Sequence, residues 1–129
     1  MKVEVSNGIE ELKRQFSSLT FTIAEDNQGG AYVIIENVSL GARYKPDHTW
    51  LGFQIPAQYP YADIYPAFIG AEVNRIDGVP FTAPVTRGHQ FRGRSAIQVS
   101  RRNGAAAQNG LQRVTAKVLK ILDFLERMP

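Results

Sequence analysis

The stretch Trp50–Ile69, WLGFQIPAQYPYADIYPAFI, decides how the rest of the chain is read. Its first part alternates. Trp50, Gly52 and Gln54 fall on one side and Leu51, Phe53 and Ile55 on the other, which is the period of two of a half-buried strand. Pro56, Pro60 and Pro66 then follow in close order. Each fixes its own φ and removes a backbone donor, so neither a helix nor a paired central strand runs through them. Tyr59, Tyr61 and Tyr65 sit between the prolines. The segment therefore reads as a rigid packed connector whose rings cover one end of a sheet.

Working outward, the flanking elements have recognisable periods. Ile9, Leu12 and Phe16 form an apolar stripe on a helix predicted over Ile9–Phe16, with Ser6 or Asn7 as cap and Glu10 and Glu11 in its first turn. Leu19–Ala24 alternates as a strand, EDNQGG over Glu25–Gly30 is a turn, and Ala31–Leu40 is a second strand. Gly41–Asp47 is a basic turn, His48–Ile55 the third strand, and Ile64–Val73 contains the fourth. Short polar turns between successive strands predict an antiparallel meander. Asn74–Gly93 loses periodicity and reads as an irregular stretch of about twenty residues, a length that is usually functional. Ser95–Val99 alternates weakly, as a short strand would. A last helix is predicted from about Leu111 to Arg127, with Asn109 or Gly110 at its start and Leu111, Val114, Val118, Ile121, Leu122 and Leu125 on one face.

Composition limits the classes open to the chain. Its 129 residues fit one domain, 1–129, large enough to bury a core without staples. There is no cysteine, which removes disulfides, thiolate metal sites and thiol catalysis. His48 and His89 are far apart and make no zinc spacing, so no metal and no cofactor are expected. No apolar run approaches the ~18 residues of a membrane span, and no signal-peptide apolar region opens the chain; a cytoplasmic location is the default expectation. Net charge is +3, but unevenly placed: Gly78–Leu122 has no Asp or Glu and eight Arg or Lys. That asymmetry predicts an anionic partner for the C-terminal half, unless acids on neighbouring strands pair with it.

The connector and the order of elements carry a family resemblance. A strand ending in Phe53-x-Ile55-Pro56, then Tyr59-Pro60, then Pro66 and a further strand through Phe68 resembles the ubiquitin-conjugating enzymes. The resemblance implies an α+β fold: N-terminal helix, four-stranded antiparallel meander sheet, long irregular segment and C-terminal helix. It also implies a ubiquitin-like modifier and an adenylating, activating enzyme as partners, within a bacterial-type modification pathway. In that family a cysteine in the irregular segment carries the modifier as a thioester, with a His-Pro-Asn motif upstream. His89 stands where the histidine would, followed by Gln90 and Phe91. Counting on, the cysteine position falls at Val99 or Ser100, so Ser100 is the first candidate nucleophile and Ser95 the second.

Three functions follow. In the first, Ser100 accepts the modifier as an oxyester, His89 is the base, and Arg101 and Arg102 hold the modifier's tail or stabilise the oxyanion. In the second, the chain is a non-catalytic adaptor of the same fold that binds a ubiquitin-like protein or activating enzyme. In the third, ranked last, the basic 78–122 segment binds nucleic acid, with Phe91 stacking a base among Arg87, Arg92 and Arg94. Lys13 and Arg14 on the first helix, with Arg92 and Arg94, are the partner-binding candidates. His48 and Trp50 read as sheet-face residues.

Overall fold

A computed structural model describes residues 1–102 and 110–129. The chain begins with helix α1 (Val3–Gln15) and ends with helix α2 (Val114–Arg127). Between them run β1 (Phe21–Glu25), β2 (Ala31–Ser39), β3 (Tyr44–Lys45), β4 (His48–Ile55), β5 (Ala67–Gly70), β6 (Asn74–Arg75), β7 (Val85–Phe91) and β8 (Arg94–Val99). Six strands form one sheet in the order β1-β2-β4-β5-β8-β7, and β3 pairs with β6 in a separate ribbon. Every neighbouring pair is antiparallel.

The predicted meander is present as β1-β2-β4-β5, and β4 has the bounds its alternation gave. The strand count is a correction: eight strands lie among the described residues, where a meander of four and a short strand at Ser95–Val99 were expected. The segment read as irregular holds β6 and β7. Its period was hidden because β7 is bulged between Thr86 and His89, with Gly88 at φ 88°. The bulge keeps Thr86, His89 and Phe91 on one face although their spacing is three and then two.

One face of the sheet is covered by the two helices. Thr49, Leu51, Phe53 and Ile55 of β4 point into it and are buried. Val5, Ile9 and Leu12 meet them from α1, and Val114, Val118, Ile121 and Leu125 from α2, all within one continuous core. Each such side chain contributes on the order of 1.5–3 kcal/mol by leaving water. α1 starts six residues earlier than its first stripe suggested, because Val5 adds a turn to that stripe; Ser6 and Asn7 lie inside the helix, and the cap position is Lys2. α2 starts at Val114, and Leu111 is 68% exposed rather than part of the apolar face. Asn109 lies outside the described residues.

Of the connector's tyrosines expected to cover the sheet end, Tyr61 is 77% exposed and Tyr59 packs instead between the two helices. Tyr59 is buried, and its hydroxyl accepts the Val114 N–H at 3.0 Å, so the phenol supplies the cap that Arg113 does not. The neighbouring Gln112 N–H donates to the Pro60 carbonyl at 2.7 Å. α1 approaches the same ring closely: a Cβ on Gly8 would lie 3.1 Å from both the Tyr59 ring and Val114. At the far end of α2 the Tyr44 hydroxyl donates to the Leu125 carbonyl.

The other face is covered by the chain's own β7–β8 hairpin. Its turn folds back over β2 and β4. The Phe91 ring stacks on Phe68 with centroids 4.9 Å apart, on Trp50 at 6.2 Å, and meets Tyr32 edge-on at 6.2 Å. A Cβ on Gly52 would lie 2.6 Å from that ring, so β4 needs glycine where Phe91 seats. The bulge in β2, with Asn37 at φ 59°, leaves Glu36 on this face and Val38 on the helix face. Glu36 thereby receives Arg94 from the hairpin. No helix among the described residues is long and apolar enough to cross a membrane.

Candidate functional site

The residues singled out for chemistry lie at and around the end of β8. Val99 points into the helix-side core, so Ser100, the next residue, lies toward the opposite face. The Ser100 N–H donates to the Pro84 carbonyl at 2.8 Å. Its Oγ accepts from Gln98 Nε2 at 2.7 Å. His89 is on β7 opposite Ala96, and its Nε2 shares a hydrogen bond with Thr86 Oγ1 at 3.0 Å. Thr86 and Gln98 are opposite each other in the ladder. Two separate pairs therefore lie along the hairpin, His89 with Thr86 and Ser100 with Gln98. Among the described residues no imidazole or carboxylate is hydrogen-bonded to Ser100. Ser95 is exposed, opposite Gln90, and its carbonyl accepts the Ala71 N–H.

Arg101 and Arg102 leave the sheet and turn toward α2. Their guanidinium groups lie over aromatic rings, Arg101 over Phe124 at 4.8 Å and Arg102 over Tyr65 at 3.8 Å. Beneath them is Lys117, 4% exposed. Its Nζ donates to the Arg101 carbonyl at 2.8 Å and lies 3.0 Å from Oδ1 of Asp63, a carboxylate that is itself buried in the connector. Burial holds the Lys117 ammonium below its ordinary pKa, and the Asp63 hydrogen bond opposes that. Connector, strand end and α2 thus converge on one buried ion pair. Beside it opens a cavity of about 410 Å³.

The remaining candidates are elsewhere. Lys13 and Arg14 are in the last turn of α1, exposed, with Lys13 3.7 Å from Glu10. Arg92 lies over the Tyr32 ring at 4.3 Å. Arg94 makes a two-pronged bond to Glu36, at 2.9 and 2.7 Å, and lies 5.4 Å over the Trp50 ring. That guanidinium holds the Glu36 carboxyl below the usual glutamate range. Phe91 cannot serve as a base-stacking platform as expected: it is 7% exposed, packed against Phe68 and Trp50. Arg87 is exposed, but its guanidinium is engaged within the chain, donating to the carbonyls of Ala71 and Val73. His48 is exposed and bonds Asp47.

Sequence reasoning missed Lys117 and Asp63. Lys117 had a signal, since it follows Val114 by three and so falls on the apolar stripe of its helix. Asp63 had none; an acid among prolines looks like any solvated loop residue.

Residues 11–128 match the family described as Prokaryotic E2 family E. No curated protein and no solved structure matches the chain.

Proposed function

Because the chain belongs to prokaryotic E2 family E, we propose that it acts in a bacterial ubiquitin-like modification pathway as a non-catalytic E2-like module, binding a ubiquitin-like modifier or its activating enzyme. The observation that carries this reading is the state of Ser100. A serine attacking an activated carbonyl must lose its proton to a base. The group bonded to Ser100 Oγ is an amide N–H, a donor, which cannot take a proton. The His89 ring, the other half of the expected pair, is bonded to Thr86. The chain has no cysteine to substitute for either serine.

A second reading keeps the serine oxyester at Ser100, with His89 as base and Arg101 and Arg102 holding the modifier's tail. What favours it is position: Ser100 directly precedes two arginines that have no carboxylate partner among the described residues. Calorimetric titration with the modifier and with the activating enzyme separates the two. The binding-module reading expects saturable association with a dissociation constant on the order of micromolar, unchanged in Ser100→Ala and Ser95→Ala. No association with either partner, or association that depends on a serine hydroxyl, would overturn it.

A further inference from the structure

Beyond the pathway reading, we propose that the cavity between α2 and the segment following β8 binds the phosphoryl group of a small organic phosphate. The cavity is lined by Arg101, Arg102, Lys117, Lys120 and Arg127 against one acidic side chain, Asp123, with Pro129 at its edge. The Asp123 carboxylate is already engaged by Arg127 Nε at 2.7 Å. Arg101, Arg102 and Lys120 have no carboxylate partner among the described residues. Three uncompensated cations around one hollow repel one another, and the arrangement is relieved by an anion of more than one charge.

The arginines are also ordered in advance. Contact with the Phe124 and Tyr65 rings restricts the two guanidinium groups, and neither contact uses an N–H donor on a carboxylate. The Arg101 backbone is pinned to α2 by the buried Lys117 ammonium. Side chains held in place lose little entropy when a ligand arrives. A phosphoryl group offers several acceptor oxygens in the geometry that guanidinium forks match, whereas a lone carboxylate neutralises one cation and leaves two. The volume, about 410 Å³, is that of a small-ligand site and exceeds what a bare phosphate ion fills. Ile121, Phe124 and Met128 supply an apolar side for the body that carries the phosphate.

The probe is inorganic pyrophosphate, titrated into the full ¹⁵N-labelled chain at constant ionic strength. Saturable shifts confined to the amides around Arg101, Arg102, Lys120 and Phe124 are expected. Affinity should fall at least about tenfold in the Arg102→Gln, Lys120→Gln double variant, which loses two charge-assisted contacts. Both side chains are exposed, so that variant keeps the fold, and its unliganded melting point should stay close to the parent's, relieved repulsion offsetting the lost Tyr65 contact. Shifts that never saturate, shifts centred on Arg92, or equal affinity in the variant would overturn the proposal. So would a peptide with a free C-terminal carboxylate that saturates the same residues more tightly than pyrophosphate. Cosedimentation with phosphatidylglycerol vesicles that outcompetes pyrophosphate would likewise reassign the cavity to a membrane surface.

Discussion

The two faces of the six-stranded sheet are covered by different means. On one, two helices bring aliphatic side chains onto Leu51, Phe53, Ile55, Ile69 and Ile97 in a continuous core. On the other, the sheet's own last hairpin folds back, and the buried set shrinks to Ile34, Phe91 and Ala96 with Tyr32, Trp50 and Phe68 partly covered. The polar ties differ in the same way. Lys117 and Asp63 on the helix side are 4% and 8% exposed, whereas Arg94 and Glu36 under the hairpin are 36% and 34% exposed. A buried pair is costly to break and a half-exposed one is not, so the helix side should unfold with the whole chain and the hairpin ahead of it.

Substitutions at five residues should separate the two faces. The largest effect is expected from Lys117→Met, which leaves the Asp63 carboxylate buried without its ammonium and should cost about 3–5 kcal/mol in urea denaturation. A cost under about 1 kcal/mol would mean that the pair does not tie connector to helix. Phe91→Ala removes the one large ring seating the hairpin. It should cost about 2–3 kcal/mol, less than a core phenylalanine because the site opens to water. Gly52→Ala pushes a methyl into that ring. In a double-mutant cycle its penalty should largely vanish once Phe91 is alanine, and additivity would sink the proposed seating. Tyr59→Phe takes the acceptor from the buried Val114 N–H and should cost about 1–2 kcal/mol, with exchange protection lost first at the start of α2.

The smallest effect is the most local. Glu36→Gln weakens the two-pronged bond to Arg94, and water screening limits the loss to about 0.5–1 kcal/mol. Its pH dependence has a definite sign. The folded-state pKa of Glu36 is depressed below the ordinary 4.5. The bridge therefore contributes fully above that value and is lost as pH falls through the lower, folded one. Trp50, the only tryptophan, lies under Arg94 and against Phe91 and reports the change. Its emission should shift toward that of solvated indole at acid pH in the parent. In Glu36→Gln that step should be missing; a transition of equal size in both proteins would remove the bridge from the account.

Much of the helix-covered face was legible in the sequence because its signals are local. The alternation of β4 gave its bounds, and the stripe from Val114 to Leu125 gave the buried face of α2. The tyrosine-proline connector announced a packed corner, although that Tyr59 would cap α2 depends on a contact 55 residues away. Of the hairpin only the second strand was legible, in the weak alternation of Ser95–Val99. The bulge at Arg87–Gly88 resets the alternation of the first, and the hairpin's apolar face is read only once Gly52 is known to lie beneath Phe91. The site divides along the same line. Sequence spacing put His89 and Ser100 in one window, but the ladder sets His89 opposite Ala96, and each polar side chain finds a partner on its own strand. Arg101 and Arg102 were singled out for charge; what they surround depends on α2, which comes later in the chain.

The most direct test of the central claim is the intact mass of the protein after incubation with the pathway's modifier, activating enzyme and ATP. The mass should be unchanged, with the modifier recovered only in a complex that denaturant dissociates. A species heavier by one modifier less one water, released by hydroxylamine and absent in Ser100→Ala, would contradict it and establish the serine as an acyl carrier.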